Sequence, residues 1–236
     1  MSDLFKLIND PASNGMHIYG RPSTGKTILE LYRAGELIRS GRRVLYIDST
    51  GTLDKKQVEM VCPELTKFVQ TWYSFDNILE AIGTYGADHL IIDDLTPFRM
   101  FLSDDGFKSN LSTFMKRLAD MGITLDLVNQ IREKIGVEHP VPYKEDYVTT
   151  HFRNNVSMKR VAQHDNGMVY QALNEHTRLY IEFFIDNTGI IDEAYTIAAL
   201  LKEPLTDYLR ELIKENREEI FKELINKYGY KSSTWI

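Results

Sequence analysis

Between Met16 and Val128, short uniformly apolar runs alternate with longer segments whose apolar residues recur at helical spacing. Met16-His17-Ile18-Tyr19 reads as a strand, and Lys26 to Arg39 as a helix that turns Leu29, Leu31, Ala34, Leu37 and Ile38 inward. Val44 to Ile47 is a second strand, followed by a helix through Gln57–Val61. Phe68-Val69 and Asn77–Tyr85 repeat the strand-to-helix pattern. Leu90-Ile91-Ile92 then reads as a strand, Asn110–Ala119 as a helix and Ile123–Val128 as another strand. Strands apolar on both faces and separated by helices predict an α/β domain with a parallel sheet covered on both sides.

The pattern changes after Gln130. Residues 131–150 mix charges with Pro140 and Pro142 and predict a long loop. Beyond it, Val156–Val161, Met168–Leu173 and Leu179–Ile185 read as strands joined by tight turns at 165–167 and 174–177, extending the sheet in antiparallel fashion. In the tail, apolar residues at helical spacing run from Leu205 to Ile213 and from Ile220 to Tyr228. Asn216 followed by Glu219 resembles a capping box, so two short helices compete with one long one.

Asp126 breaks the apolar run Ile123–Val128, where a lone charge is costly. It requires either a cationic partner within the chain or a face that another subunit covers.

Composition narrows the class. Of 236 residues, 43% are hydrophobic and 26% charged, which fits a globular protein and excludes wholesale disorder. The single cysteine, Cys62, excludes an intramolecular disulfide framework and a multi-thiolate zinc site. The opening residues have neither a basic nor an apolar signal region, and the most apolar stretches, such as Ile197 to Leu201, are too short to cross a bilayer. The expectation is a soluble cytoplasmic protein without membrane attachment. The formal charge of −6 argues against coating nucleic acid by bulk charge, though a local basic stripe is compatible with it.

One motif carries chemistry. Gly20-Arg21-Pro22-Ser23-Thr24-Gly25-Lys26-Thr27 matches G-x-x-x-x-G-K-[ST] between a strand and a helix. The glycines let the loop wrap phosphate oxygens, and backbone N–H groups at the helix start supply donors. Lys26 is expected to reach the β- and γ-phosphates of ATP, and the Thr27 hydroxyl to ligate Mg²⁺. Leu90-Ile91-Ile92-Asp93-Asp94 ends an apolar strand in acid, placing Asp93 where a carboxylate would hold Mg²⁺ through water. The plainer alternatives are a helix start with a fortuitous lysine and a strand-end turn cap.

With these motifs the sequence resembles the RecA/RadA recombinase superfamily over about residues 14–190. Asn129-Gln130-Ile131-Arg132-Glu133-Lys134-Ile135-Gly136 is similar to the segment opening the second DNA-binding loop of bacterial RecA. Tyr46-Ile47-Asp48-Ser49-Thr50-Gly51-Thr52 is similar to a strand end of archaeal RadA. The resemblance implies a RecA-like ATPase core over 14–190, with a mostly parallel sheet and antiparallel strands on its C-terminal side. A short segment, 1–13, would precede it and a helical tail, 191–236, follow. It also implies that Gln130 senses the γ-phosphate and passes its state to the loop behind it. Self-association into a filament or ring is implied as well, with His176 and Arg178 near where the family presents cations to a neighbour.

Three departures qualify that picture. Thr50 stands where the family has the glutamate that activates water, and threonine is no general base near neutral pH. Turnover is therefore expected to be weak, with Asp94 or Asp48 as the replacement base. The glycine pair of the second DNA loop is missing. The chain begins almost at the core, with Leu4, Phe5, Leu7 and Ile8 as either a reduced docking segment or an ordinary packed helix.

Residues 131–160 carry six cations, Arg132, Lys134, Lys144, Arg153, Lys159 and Arg160, against four acids, with Tyr143, Tyr147, His151 and Phe152 interleaved. Cations for phosphates plus aromatic faces for bases suit single-stranded DNA; a solvated loop is the plain alternative. Arg99 and Lys108 mark a second candidate contact, opposed by Asp104 and Asp105. Three functions follow in order: a recombinase-like DNA-binding ATPase, a ring-forming helicase-like motor, for which Arg21-Pro22 speaks, and a nucleotide-gated regulatory module, for which Thr50 speaks.

Overall fold

The computed structural model describes residues 15–66, 68–70, 74–100, 102–131, 146–216, 219–220 and 222–223. The segment 1–13 and most of the loop after Gln130 lie outside these residues.

The described chain alternates strands and helices up to β5. They are β1 (Met16–Gly20), α1 (Lys26–Arg39), β2 (Val44–Asp48), α2 (Lys55–Val61), β3 (Phe68–Gln70), α3 (Phe75–Tyr85), β4 (His89–Asp93), α4 (Thr96–Met100), α5 (Asp104–Asp120) and β5 (Thr124–Gln130). A short α6 (Asp146–Thr149) precedes β6 (Asn154–His164), β7 (Gly167–Asn174), β8 (Tyr180–Asp186) and β9 (Ile191–Asp192), and α7 (Glu193–Leu201) and α8 (Asp207–Glu215) follow.

The strands form one sheet in the order β3-β2-β4-β5-β1-β6-β7-β8-β9. From β3 to β6 neighbours run parallel; β7, β8 and β9 each pair antiparallel to the strand before. This is the α/β class that the alternation predicts. One refinement concerns β6, which pairs parallel with β1, Gly20 opposite Met158, so the antiparallel extension starts at β7.

Two apolar layers cover the sheet, as strands buried on both faces require. Leu29, Leu31 and Ala34 of α1 pack with Ile18, Tyr46, Ile91, Phe183 and Ile185 on one face. Ile82 of α3 and Leu111, Phe114 and Leu118 of α5 pack with Leu45, Ile92 and Leu127 on the other.

Caps explain where expectation and structure differ. The Ser103 hydroxyl accepts from the Gly106 amide, starting α5 at Asp104 instead of Asn110. Such a cap is worth about 1 kcal/mol and offsets the polar first turn that hid the helix start. Asp192 and Thr206 cap α7 and α8, and α8 ends at Glu215 with Asn216 as its C-cap; most of the second predicted stretch, 220–228, lies outside the described residues. No helix among the described residues is long and apolar enough to cross a membrane.

Candidate functional site

The parallel strands end on one edge, and the loop Gly20–Thr27 rises there between β1 and α1. Both motif glycines are sterically required. A Cβ on Gly20 would stand 2.4 Å from the Met158 carbonyl oxygen. Gly25 has φ of +77°, and a Cβ there would stand 3.1 Å from Ile185 Cδ1 and 3.4 Å from the Tyr170 ring. Arg21, Pro22 and Ser23 are exposed, while Thr24 is buried, its hydroxyl donating to the Arg21 carbonyl at 2.9 Å.

Lys26 is buried and folds back over this loop. Its Nζ donates to the carbonyls of Gly20 at 3.1 Å and Arg21 at 2.7 Å, and to Thr24 Oγ1 at 3.4 Å. The next residue reaches the sheet: Thr27 Oγ1 donates to Asp93 Oδ2 at 2.7 Å, and the buried Tyr46 hydroxyl donates to the same oxygen at 2.9 Å. Burial pushes the Asp93 carboxyl up to about 6, although both hydroxyls act to lower it. A hard divalent cation suits this pair: Thr27 supplies a neutral oxygen, and Asp93 a carboxylate whose charge hydroxyl donors leave largely uncompensated.

The neighbouring acids do other work. Asp94 Oδ1 accepts from the Thr96 amide at 2.6 Å and so starts α4; its Oδ2 is buried without a hydrogen-bond partner. Asp48 organises the turn after β2, accepting from the Thr50 hydroxyl at 2.9 Å, the Gly51 amide at 3.0 Å and the Leu53 amide at 2.8 Å. A carboxylate so engaged is a poor general base. Gln130 ends β5 opposite Gly20, and the Ile131 amide donates to the Gly20 carbonyl at 3.0 Å, so β5 and the Gly20–Thr27 loop are joined directly.

Nearly two helix turns along α1 lies what the sequence left open at Asp126. Arg33 Nε meets Asp126 Oδ2 at 2.5 Å, His89 Nε2 lies 2.7 Å from the same oxygen, and the Met16 amide donates to Oδ1 at 2.7 Å. The partner is cationic and internal. Burial alone would raise this carboxyl; Arg33 and His89 outweigh it and hold it well below the usual range. Between the two aspartates Glu30 is fully buried, and neither carboxyl oxygen has a hydrogen-bond partner. Burial, then Asp126, raises its carboxyl well above the ordinary carboxylate range, which favours the protonated form.

Sequence reasoning missed Arg33, His89, Glu30 and Tyr46. A usable signal existed for two of them: Lys26, Glu30 and Arg33 recur at helical spacing on one face of α1, the same face that brings Thr27 toward β4.

The remaining predicted residues are not gathered in one place. Arg132, Lys134 and Lys144 lie outside the described residues. Arg153 is exposed just before β6, beside the start of β1 and hence at the opposite sheet edge from Gln130. Lys159 and Arg160 are exposed further along β6, toward the edge that carries the Gly20–Thr27 loop. His176 and Arg178 are exposed in the β7–β8 turn, level with Asn155 and so again at the edge away from the loop.

A mostly parallel α/β sheet with a phosphate-type loop after its first strand is consistent with a RecA-like core. Comparison with known proteins bears on this. The chain is 26% identical to protein RecA of Ureaplasma parvum serovar 3 over 147 residues, covering 53% of this chain and 43% of that protein. It is 26% identical to protein RecA of Malacoplasma penetrans over 145 residues, 54% of this chain and 44% of that one. A similar match, 28% over 144 residues, joins it to protein RecA of Campylobacter hominis, 53% and 41% of the two chains. No family model matches the chain. The aligned stretch spans less than half the length of these relatives, and the likeness supports a distant RecA-like relationship.

Proposed function

We propose that the chain is an ATP- and Mg²⁺-binding, RecA-like protein that engages single-stranded DNA in recombination or repair and turns ATP over slowly. The observation that carries this reading is the contact of Thr27 with Asp93 beneath the loop that folds around Lys26. In it, backbone donors of 20–27 and Lys26 hold the phosphates, Thr27 and Asp93 hold the metal, and Gln130 reads the γ-phosphate. Mg²⁺, when bound, supplies charge neutralisation between the phosphates. The core is residues 14–190, with 191–236 as its tail. Arg132, Lys134, Lys144 and Arg153 contact DNA. His176 and Arg178, remote from their own loop, serve a neighbour's site in a filament or ring.

Slow turnover rests on Thr50, whose hydroxyl is spent on Asp48. Asp94, with one oxygen unpaired, is the stronger candidate base. The same observation favours a second reading, a nucleotide-gated module that signals through a partner with little hydrolysis. Filter binding of labelled single-stranded DNA with and without ATP and Mg²⁺ tests the first; absence of ATP-dependent retention at low salt sinks it. Steady-state ATPase assays of wild type and Asp94→Asn separate the two: weak turnover lost in the variant supports the first, background turnover in both the second.

A further inference from the structure

The ring of Tyr46 belongs to the apolar layer between α1 and the sheet, where it is fully buried. A phenylalanine would fill the same space. The hydroxyl is therefore the part that needs a reason, because a buried hydroxyl costs free energy unless it is paired. Its partner among the described residues is Asp93 Oδ2, at 2.9 Å. Tyr46 lies opposite Ile91 in the β2–β4 register, so it shares a sheet face with Asp93, two residues further along β4.

That contact limits what Asp93 can offer. Its Oδ2 accepts from two hydroxyls, Thr27 on α1 at 2.7 Å and Tyr46 on β2, so both lone pairs of this oxygen are engaged. Among the described residues these are the hydrogen bonds that the Asp93 side chain accepts, and neither falls on Oδ1. The carboxyl is pinned from a helix and from a neighbouring strand, and it presents a single oxygen. Held in this way it can fill one position around a cation, directly or through a water, and cannot chelate with both oxygens. Mg²⁺ demands near-ideal octahedral geometry and is served by such a ligand. Ca²⁺ accepts more oxygens in looser geometry and takes carboxylates with both of theirs.

We propose that Tyr46 is a positioning residue that holds Asp93 as a one-oxygen ligand and so selects Mg²⁺ over Ca²⁺ as the ion accompanying the nucleotide. The inference rests on the reading of Thr27 and Asp93 as the metal site, and Tyr46 acts through Asp93. Without its hydroxyl, Oδ2 keeps only the Thr27 donor. The carboxyl then gains freedom to turn, and one lone pair of Oδ2 opens to a cation that accepts both oxygens.

The test is calorimetry of ATP binding to the full chain in EDTA, in saturating Mg²⁺ and in saturating Ca²⁺. Wild type should be strengthened more by Mg²⁺ than by Ca²⁺; equal strengthening overturns the proposal without any substitution. Tyr46→Phe should lose roughly tenfold of the strengthening by Mg²⁺, the usual scale for removing a group that orients a metal ligand. It should lose none of the strengthening by Ca²⁺, so the preference for Mg²⁺ shrinks by the same factor. Its affinity for ATP in EDTA should match that of wild type, which also shows that the variant is folded. A merely structural role for Tyr46 would weaken all three conditions alike; that result, or an unchanged preference, overturns the proposal. Asp93→Asn should lose the strengthening by both ions. If it keeps both, the metal-site reading itself falls, and the proposal with it.

Discussion

Asp93 and Asp126 sit on neighbouring parallel strands, both buried beneath α1, and their surroundings drive them in opposite directions. Asp126 has a guanidinium, an imidazole and a backbone amide, and its carboxyl lies far below the ordinary range. Asp93 has two hydroxyls, and burial carries its carboxyl up to about 6. The same residue type at the same depth is a finished structural joint in one place and an undercompensated charge in the other. Asp126 ties together the start of β1, the middle of α1 and the start of β4, the elements around the Gly20–Thr27 loop. Asp93 faces the loop itself. A buried carboxylate without a cation is where a cation belongs.

The largest effect that would break this contrast is on Asp126. Asp126→Asn should cost about 3–5 kcal/mol, the scale for leaving one partner of a buried ion pair uncompensated, read as a drop in the urea midpoint with an unchanged slope. A loss below 1 kcal/mol would mean that Arg33 and His89 find other partners. Asp93→Asn should act oppositely. Removing a carboxylate raised to about 6 from 3.8 should stabilise the unliganded protein by about 1–3 kcal/mol at pH 7, while magnesium-dependent nucleotide binding is lost.

The pH dependence has a definite sign. Because the folded state holds the Asp93 proton more tightly than the unfolded chain, that contribution to stability is fully present below 3.8 and is lost as pH rises through about 6. Magnesium needs the ionised form. Its contribution to nucleotide affinity should therefore fall about tenfold per unit as pH drops below the folded value, and Asp93→Asn should flatten that profile. The smallest effect sharpens the comparison. Glu30→Gln replaces a buried acid whose surroundings favour the protonated form by a near-isostere and should change stability by no more than about 1 kcal/mol at neutral pH; a loss as large as that of Asp126→Asn would show that Glu30 is ionised.

Much of this arrangement is legible in the sequence, for physical reasons. The apolar runs of β1, β2, β4 and β5 leave little choice but a parallel sheet, and the eight-residue motif fixes the loop, since its glycines are where a side chain would collide with Met158 or strain a left-handed backbone. Asp126 announces itself as a charge in a buried strand. Its partners do not, because pairing Arg33 with a strand 93 residues further along is a tertiary fact. The approach of Tyr170 to Gly25 is hidden for the same reason: nothing local ties the two residues. The helix start at Ser103 is short-range but is hidden by a polar first turn.

The central claim is that the Lys26–Asp93 end of α1 is a nucleotide and metal site, whereas the Arg33–Asp126 end is structural. Calorimetric titration of wild-type and Lys26→Ala chains with ATP, with and without magnesium, tests it most directly. The account predicts saturable, magnesium-strengthened binding to wild type and a loss of at least about thirtyfold in Lys26→Ala, from removing a buried charge-assisted contact. Equal binding by the two proteins, or no binding to wild type, would contradict it.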